Sequence, residues 1–285
     1  MTGESSPWNL RALETQRVPE LRPENLFGLA DKVAVVTGAG GGLGAWLAAG
    51  LAAAGARVLL TDHPRSSTRE TARVLRQFGG TVSEFSCDLL DDDAADRIVS
   101  AAAAAFGRVD ILVNNAGTNR RELIFEATRE TWDRIAIVDL RLPYELSRAC
   151  ARVMAEHGHG GSIIHIGSLN NAIGLEGVSV YGAHKAALCQ LAKSMAVEWA
   201  RHQIRVNAIC PGFMLTPLSK PLWDDPVKGK WILDRSLLRR PGYPAELVGT
   251  LLLLASNAGS FITGQALYVE GGWLAGTPWS EPRIE

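Results

Sequence analysis

Cysteine is scarce in this chain: there are four among 285 residues, and none belongs to a recognisable ligand set or redox motif. No Cys-x-x-Cys occurs, and no cysteine stands near a histidine at metal-ligand spacing. The pattern argues against a disulfide framework or a metal site, so we expect a reduced, cytoplasmic setting. We expect four buried, small apolar side chains, at Cys87, Cys150, Cys189 and Cys210.

Strong charge and long apolar runs are missing as well. The formal net charge is -1 and there is no basic run, which argues against nucleic acid as a main partner. The apolar stretches at 43–56 and 247–255 are too short, or too rich in Gly and Ala, to span a bilayer. Residues 1–20 lack a cationic start followed by an apolar core, so we expect no signal peptide, no membrane association and a soluble protein.

The chain does have enough apolar residues for a full core, at 47% hydrophobic and 21% charged. Runs rich in β-branched residues, such as "KVAVVTG", alternate with helical segments, such as "LGAWLAAGLAAAG". The longest predicted helix covers roughly 129–156. The seven predicted strands lie at 32–38, 56–62, 81–88, 110–117, 162–168, 204–212 and 266–272.

This alternation predicts an α/β fold with a parallel seven-stranded sheet and helices on both of its faces. No linker or internal repeat is visible, so we predict a single domain over 29–275. Residues 1–28 are polar with three prolines and are predicted to form an extension, and 276–285 a tail. Ligands of such sheets bind beyond the carboxyl ends of the strands.

The segment "TGAGGGLG" joins the first predicted strand to its helix. Its glycines leave room for a tight turn and for a pyrophosphate at the helix N-terminus. The strand-turn-helix context separates it from a chance cluster of glycines. The predicted cofactor contacts here are Gly38, Gly42, Leu43 and Gly44.

Asp62 ends the second predicted strand, eighteen residues after Gly44. An acid at this place accepts hydrogen bonds from the adenosine ribose hydroxyls and repels a 2′-phosphate, which favours NAD over NADP. Two alternatives stay open: Asp62 could cap the next helix, and Arg65 could pair with a phosphate. Asp88, at the end of the third strand, is predicted to contact adenine or to serve as a turn residue.

The segment "YGAHK" places Tyr181 and Lys185 four residues apart, on one face of a helix, and Ser168 ends the fifth predicted strand. A nearby ammonium and a positive nicotinamide are expected to lower the pKa of Tyr181 from its usual value of about 10. Tyr181 could then exchange a proton with a substrate oxygen. Ser168 could hydrogen-bond that oxygen, and Lys185 could bind the nicotinamide ribose.

Together, "TGAGGGLG", "NNAG", Ser168 with "YGAHK", "PGFMLT" and the terminal "EGG" resemble the classical short-chain dehydrogenases/reductases over roughly 26–275. The resemblance implies a doubly wound Rossmann fold, hydride transfer at a carbon bearing a hydroxyl or keto group, NAD or NADP as cofactor, and a homotetramer. It implies that Asn114 supports the sheet and that about 213–243 form a lid over the substrate. It also implies cofactor contacts at Asn115, Gly117, Pro211, Gly212 and Thr216.

One position departs from the family's pattern. The usual "VNL" triplet of the long helix reads "VDL" here, with Asp139 in place of an asparagine that anchors a water. A carboxylate can also hold a water, and its charge would stabilise protonated Lys185. We count Asp139 with the catalytic candidates. Since an amide would restore the usual group, we expect Asp139→Asn to have a mild effect.

The segment "NNAGTNRR" places Arg120 and Arg121 directly after the fourth predicted strand. With "SMAVEWARHQIRVNAICPGF" and "LYVEGGWLAG", it resembles the gluconate 5-dehydrogenase and deoxygluconate dehydrogenase branch, which acts on sugar acids. An arginine bordering the nicotinamide pocket could hold a substrate carboxylate as a bidentate pair. Alternatively, both arginines are solvated or join a subunit interface through acids such as Glu122.

Three functions follow from these patterns. The leading one is an NAD(P)-dependent oxidoreductase acting on a sugar acid or polyol. A reductase of a bulkier ketone or 3-oxoacyl substrate is the first alternative, and Trp223 and Trp231 in the lid segment suit either. A non-catalytic NAD-binding protein is disfavoured because Tyr181 and Lys185 are both present. His165 and His184, near the site, are expected to be structural.

Overall fold

The computed structural model describes residues 19–276, and within them seven parallel strands form one sheet in the order β3-β2-β1-β4-β5-β6-β7. The predicted doubly wound α/β sheet and single domain are confirmed. Most of the predicted extension, residues 1–18, and nearly all of the predicted tail, 277–285, lie outside the described residues. The strands are β1 (Val33–Thr37), β2 (Arg57–Asp62), β3 (Val82–Ser86), β4 (Ile111–Asn114), β5 (Gly161–Ile166), β6 (Ile204–Pro211) and β7 (Ala266–Val269).

Helices connect successive strands. The sequence also predicts a helix near 65–78, and this helix begins only at Arg69. The α-helices are α1 (Pro23–Leu26), α2 (Gly42–Ala53), α3 (Arg69–Gln77), α4 (Ala94–Phe106), α5 (Arg129–Ala136), α6 (Leu142–His157), α7 (Ser179–Trp199), α8 (Lys220–Asp224), α9 (Pro226–Arg235) and α10 (Val248–Ala255).

The predicted long helix over 129–156 is wrong in one respect: it is interrupted. A π-helical turn, Ile137–Arg141, separates α5 from α6. Such a turn inserts one residue into the helical repeat, and π turns occur frequently at functional sites. The apolar periodicity continues on both sides of the turn, so the sequence does not reveal it. Asp139 lies at the centre of this turn.

β1 is an interior strand of the sheet, between β2 and β4, and all five of its residues are buried. Its apolar side chains have no polar alternation, as expected for a strand covered on both faces. Val35 pairs with Leu59 of β2 on one side and with Leu112 of β4 on the other. The strand order therefore reverses between β1 and β4, and this switch point opens a crevice at the carboxyl ends of the strands.

Two apolar layers hold the helices to the sheet. Leu47 of α2 and Leu251 of α10 pack against one face, and Ile98 of α4, Leu146 of α6 and Met195 of α7 against the other. Burying an aliphatic side chain of this size contributes about 1.5–3 kcal/mol, so both layers hold the strand ends rigidly. Across residues 19–276, none of the helices combines the length and apolarity needed to cross a membrane.

Candidate active site

The glycine loop is a tight turn between β1 and α2. A Cβ placed on Gly44 would lie 2.0 Å from the Gly38 carbonyl oxygen, and Gly38 itself has a φ of +67°. Asn115 of the neighbouring loop holds the turn, because its Nδ2 donates to the Thr37 and Gly38 carbonyls at 2.9 and 3.2 Å. In contrast, a Cβ on Gly41 would meet no atom within 4 Å. The start of α2 thus faces open space beside a fixed turn, which fits a pyrophosphate.

We expect Gly44→Ala to destabilise the protein, because the added methyl meets a backbone carbonyl that has little room to move. Overpacking of this kind costs about 1–3 kcal/mol, which urea unfolding would measure. Gly41→Ala is the matched control, since its backbone is extended at φ 175° and its methyl would meet nothing within 4 Å. Equal unfolding midpoints for the two variants would contradict the close packing of this turn.

Asp62 ends β2 with its carboxylate turned toward the glycine loop. Its Oδ2 accepts a hydrogen bond from the Gly40 N–H at 2.8 Å, and its Oδ1 accepts one from the His63 N–H at 2.7 Å. Of the two roles left open, helix capping does not apply, because α3 begins at Arg69 after its own N-cap residue. Arg65 is exposed, and within the described part of the chain its guanidinium makes no hydrogen bond or ion pair.

Asp88 lies one strand further out, just after β3, and both of its carboxylate oxygens are engaged. Oδ1 accepts from the Leu90 N–H at 3.0 Å, and Oδ2 contacts His63 Nε2 at 3.2 Å. The hydrogen bond from Leu90, helped by His63, lowers the pKa of the Asp88 carboxyl. This is the geometry of a turn residue, and contact with adenine stays a prediction. Nothing in the sequence pattern singled out His63.

Asn114, the last residue of β4, links this strand to α6 and β5 through its side-chain amide. Asn114 Nδ2 donates to Ser147 Oγ of α6 at 3.0 Å and to His165 Nδ1 of β5 at 3.1 Å. Burial, followed by the charge of Lys185, lowers the pKa of His165 to about 3, so this histidine is neutral. His184 contacts a backbone carbonyl through Nδ1 at 2.8 Å. Both histidines thus have the structural surroundings expected of them.

The three predicted catalytic side chains come together beyond β5. Lys185 Nζ donates to the Ile166 carbonyl at 2.9 Å and lies 5.6 Å from the centre of the Tyr181 ring. The Ser168 hydroxyl accepts from the Asn170 N–H and donates to Asn170 Oδ1, both at 3.1 Å. The turn that follows Ser168 therefore fixes its hydroxyl beside the helix that carries the other two residues.

The expected lowering of the Tyr181 pKa is wrong for the groups that the chain itself supplies. Burial raises the pKa of the Tyr181 phenol; Lys185 opposes this, and the negative charge of Asp139 adds to it. Burial is the largest influence on Lys185 and tends to lower its pKa, but the interactions with Asp139 and the charge of Tyr181 together outweigh it and raise that pKa. Asp139 therefore favours protonated Lys185 while opposing its effect on Tyr181. A net lowering of the Tyr181 pKa would need a further positive charge, such as that of an oxidised nicotinamide.

Asp139 is fully buried and faces two elements at once. Its Oδ1 lies 3.0 Å from Lys185 Nζ, and its Oδ2 accepts a hydrogen bond from the Thr118 N–H at 2.9 Å. Thr118 begins the loop that carries the two arginines. A Cβ on Gly117 would lie 2.8 Å from Asp139 Oδ1, so this backbone passes directly over the carboxylate.

The two arginines after the NNAG turn have different surroundings. Arg120 Nε contacts Glu122 Oε1 at 2.6 Å, with 64% of the arginine side chain exposed. Arg121 is also exposed, but no described residue forms an ion pair or hydrogen bond with its side chain. The Glu122 N–H donates to the Gly177 carbonyl at 3.0 Å, two residues before α7 begins. The arginine loop is therefore tied to the segment that leads to Tyr181.

The segment predicted to form a lid, 213–243, follows β6 and contains α8 and α9. Phe213 and Trp231 each lie against Trp273, with ring centres 4.9 and 5.3 Å from that of Trp273. Phe213 and Trp273 also line a small cavity of about 80 Å³. Pro211 ends β6, and a Cβ on Gly212 would lie only 2.6 Å from Glu270 Cα. The Thr216 hydroxyl contacts Ser219 Oγ at 3.1 Å. Trp273 was not predicted from the sequence, although it follows the "EGG" motif directly.

Sequence reasoning also missed a thiol pair beneath the site. All four cysteines are free and buried, as expected. However, Cys189 and Cys210 have their sulfurs 3.7 Å apart, and the Asn171 amide donates to Cys189 Sγ at 2.9 Å. The position of Cys189, one helical turn after Lys185, was the available signal. These two thiols therefore make polar contacts next to the site, whereas the sequence predicted only buried, small apolar side chains.

Comparison with known proteins agrees with this geometry. Residues 38–274 match a family model described as enoyl-(acyl carrier protein) reductase. The 2-dehydro-3-deoxy-D-gluconate 5-dehydrogenase of Dickeya dadantii (strain 3937) is 38% identical over 253 residues, which cover 88% of this chain and 98% of that protein. The gluconate 5-dehydrogenase of Gluconobacter oxydans (strain 621H) is 36% identical over 248 residues, covering 87% and 96%.

A solved structure is similar over the same region. The gluconate 5-dehydrogenase from Burkholderia cenocepacia J2315, in complex with NADP and tartrate, has a TM-score of 0.85 at 33% identity and covers 89% of this chain and 99% of that one. The present chain therefore belongs to the short-chain dehydrogenase/reductase family. It is an oxidoreductase that uses a nicotinamide cofactor to interconvert a secondary alcohol and a ketone.

Proposed function

We propose that this protein oxidises or forms a secondary alcohol of a sugar acid, such as gluconate or 5-ketogluconate. Arg121 is the observation that carries the proposal. Its guanidinium is exposed at the carboxyl edge of the sheet and has no partner among the described residues, so it is available for a carboxylate. Its loop is tied to Gly177, shortly before the helix that bears Tyr181. The names of the Dickeya and Gluconobacter relatives, both sugar-acid dehydrogenases, support the same substrate class.

The proposed chemistry uses three side chains of the chain. Tyr181 exchanges a proton between its phenol oxygen and the substrate oxygen, as general base in oxidation and general acid in reduction. Ser168 hydrogen-bonds that oxygen from its fixed position in the turn after β5. Lys185, kept protonated by Asp139, binds the nicotinamide ribose and opposes the raised pKa of Tyr181. The nicotinamide, when bound, supplies or accepts the hydride.

The geometry of the crevice supports the predicted cofactor contacts. The glycine loop, with Gly38, Gly42, Leu43 and Gly44, would hold the pyrophosphate at the start of α2. Asp62 would accept the adenosine ribose hydroxyls. The nicotinamide half would lie between the two sides of the crevice, against the contacts implied by the family at Asn115, Gly117, Pro211, Gly212 and Thr216.

A substrate panel tests the proposal. Aldonic acids, their keto acids, matching polyols and hydrophobic ketones would each be assayed with NAD(H) and NADP(H) through the absorbance of the reduced nicotinamide. We expect the sugar acids to have the highest kcat/KM. A polyol or a hydrophobic ketone turned over ten times better than every sugar acid would contradict the assignment.

We expect a preference for NAD, because a 2′-phosphate would approach the Asp62 carboxylate. Replacing the acid by Asp62→Asn should reduce the ratio of kcat/KM for NAD to that for NADP by one to two decades, since a hydrogen bond to a charged group contributes about 1.5–3 kcal/mol. Arg65→Ala is the companion variant. If the wild type prefers NADP and Arg65→Ala removes that preference, Arg65 binds the phosphate and our assignment of Asp62 is wrong.

A second function, reduction of a bulkier ketone or 3-oxoacyl compound, is favoured by the aromatic lid cluster of Phe213, Trp231 and Trp273. Such a substrate would gain from apolar contact and would be indifferent to Arg121. The panel above separates the two functions, because hydrophobic ketones would then exceed the sugar acids in kcat/KM.

A homotetramer and a reducing, cytoplasmic location stay predictions. Ile124 and Phe125, 74% and 105% exposed beside the arginine loop, support association because a partner subunit would cover them. Light scattering in solution measures the assembly. The free state of all four cysteines supports a reducing compartment.

A further inference from the structure

The carboxylate of Asp139 is placed between two hydrogen-bond donors that approach from different elements. One is the Lys185 ammonium on α7, 3.0 Å from Oδ1. The other is the Thr118 N–H on the arginine loop, 2.9 Å from Oδ2. The side chain has no exposed surface, so water cannot replace either contact. One oxygen of the carboxylate therefore forms an ion pair with the buried ammonium, and the other accepts the hydrogen bond from the Thr118 N–H.

Local structure on both sides fits this double contact. The π-helical turn Ile137–Arg141 directs Asp139 inward, toward α7 and the loop after β4. Gly117 leaves the necessary space, because a Cβ there would lie 2.8 Å from Asp139 Oδ1 and 3.6 Å from Lys185 Nζ. The carboxylate, the ammonium and the start of the arginine loop are thus packed against one another.

An asparagine cannot make the same pair of contacts. A carboxylate offers two acceptor oxygens, whereas an amide offers one acceptor and one donor group. Whichever way the amide is turned, its NH₂ would point at either the Lys185 ammonium or the Thr118 N–H, which are themselves donors. One buried donor would lose its partner, and the ion pair would be lost in both orientations.

The other titratable groups around Lys185 cannot take over the role of Asp139. Tyr181 and Cys189 face the ammonium from α7, Cys210 faces Tyr181 from β6, and the buried His165 faces the ammonium from β5. His165 is neutral, and the pKa values of Tyr181 and Cys210 are raised. The pKa of Cys189 is lowered to about 7, chiefly by its hydrogen bond with Cys210, but its sulfur makes no hydrogen bond to Thr118 and so does not link the ammonium to the arginine loop. Of the carboxylates in residues 19–276, Asp139 alone lies within ion-pair distance of Lys185.

We infer that Asp139 is a positioning residue. Its single carboxylate fixes both the Lys185 ammonium and the start of the arginine loop, residues 117–122. This inference rests on the proposed roles of Lys185 and Arg121. It reverses the expectation that Asp139→Asn is mild, since the family's usual amide fits only one of the two donors here. A change at residue 139 acts on the proton-transfer group and on substrate binding together.

Asp139→Asn tests the inference through kinetics. We expect kcat/KM for the best substrate to fall by about tenfold or more, with kcat reduced and KM raised, because a hydrogen bond to a charged group corresponds to one to two decades. In alcohol oxidation, the activity should also decline at a lower alkaline pH than in the wild type, since burial would then lower the pKa of Lys185 with much of the opposition removed. Asp133→Asn, an exposed acid-to-amide change on α5, is the matched control and should change neither quantity.

A second readout needs no substrate. Hydrogen–deuterium exchange of the peptide that contains residues 117–122 should be faster in Asp139→Asn than in the wild type or in Asp133→Asn, because the Thr118 N–H loses its acceptor or its fixed position. This measurement stands even if the sugar-acid assignment fails. Wild-type exchange together with a wild-type pH profile would overturn the inference.

Asp139→Glu tests the inference if Asp139→Asn does not fold. It keeps the negative charge but adds a methylene in the space beneath Gly117. We expect the alkaline decline to stay at the wild-type pH, with faster exchange in residues 117–122. An alkaline decline that moves although the charge is retained, or exchange that is unchanged, would overturn the inference.

Discussion

Tyr181→Phe is expected to lose about 10²–10⁴-fold in kcat, the usual contribution of a general acid–base group. The change removes only the phenol oxygen, so the ring should keep its place beside Lys185, 5.6 Å from the ammonium. The dissociation constant for the oxidised cofactor should change little, which intrinsic fluorescence would measure. Steady-state turnover in both reaction directions should fall together, since one group serves as base and as acid.

Tyr144→Phe is the control for the loss of a tyrosine hydroxyl, because Tyr144 lies exposed on α6, away from the site. It should have wild-type turnover. If Tyr181→Phe keeps a kcat close to the wild-type value, then another group transfers the proton, and the proposed roles of Ser168 and Lys185 lose their basis as well.

The architecture could be predicted from the sequence because apolar strand runs alternate with helical segments along almost the whole chain. The run "VAVVT" of β1 is buried at every residue, as its lack of alternation predicts. The glycine loop could be placed for the same reason, since a tight turn needs residues without a Cβ where backbones touch. Gly44 against the Gly38 carbonyl is the clearest case.

Contacts between distant segments could not be predicted, because no local pattern encodes them. The π turn leaves the apolar period unbroken, so nothing in "IVDLR" indicates that Asp139 points at both Lys185 and Thr118. The pKa of Tyr181 was misjudged for the same reason. The sequence shows the ammonium four residues away, but neither the burial of the phenol, which raises its pKa most, nor the buried carboxylate that adds to this rise.

The arginine loop could be predicted only in part. The sequence predicted that the basic pair borders the substrate, and it left open which side chain is free. The structure pairs Arg120 with Glu122 at 2.6 Å, while Arg121 has no partner among the described residues. Glu122 is 12% exposed, whereas 64% of the Arg120 side chain faces solvent. An ion pair with so exposed a partner contributes little to the free energy of unfolding, so we expect its main effect to be on the conformation of the loop.

Arg121→Ala should therefore lower kcat/KM for a sugar acid by one to two decades, because a charged hydrogen bond contributes about 1.5–3 kcal/mol and about 1.4 kcal/mol is tenfold. The loss should lie mainly in KM if the contact is equally strong in the ground and transition states. Arg121→Lys should recover only part of it, since lysine lacks the planar fork that matches a carboxylate. Steady-state kinetics of gluconate oxidation give kcat/KM and KM for the wild type, Arg121→Ala and Arg121→Lys.

The decisive comparison is between gluconate and glucitol, which differ in whether carbon 1 is a carboxylate or a primary alcohol. A carboxylate contact predicts a loss on gluconate with little change on glucitol. Arg120→Ala and Glu122→Gln serve as the matched pair: both break the internal ion pair, but only the first removes a guanidinium. If the two give the same small effect on both substrates, Arg120 acts through Glu122 and Arg121 holds the carboxylate. If Arg121→Ala costs as much on glucitol as on gluconate, Arg121 supports the fold or the subunit assembly, and the sugar-acid proposal loses the observation that carries it.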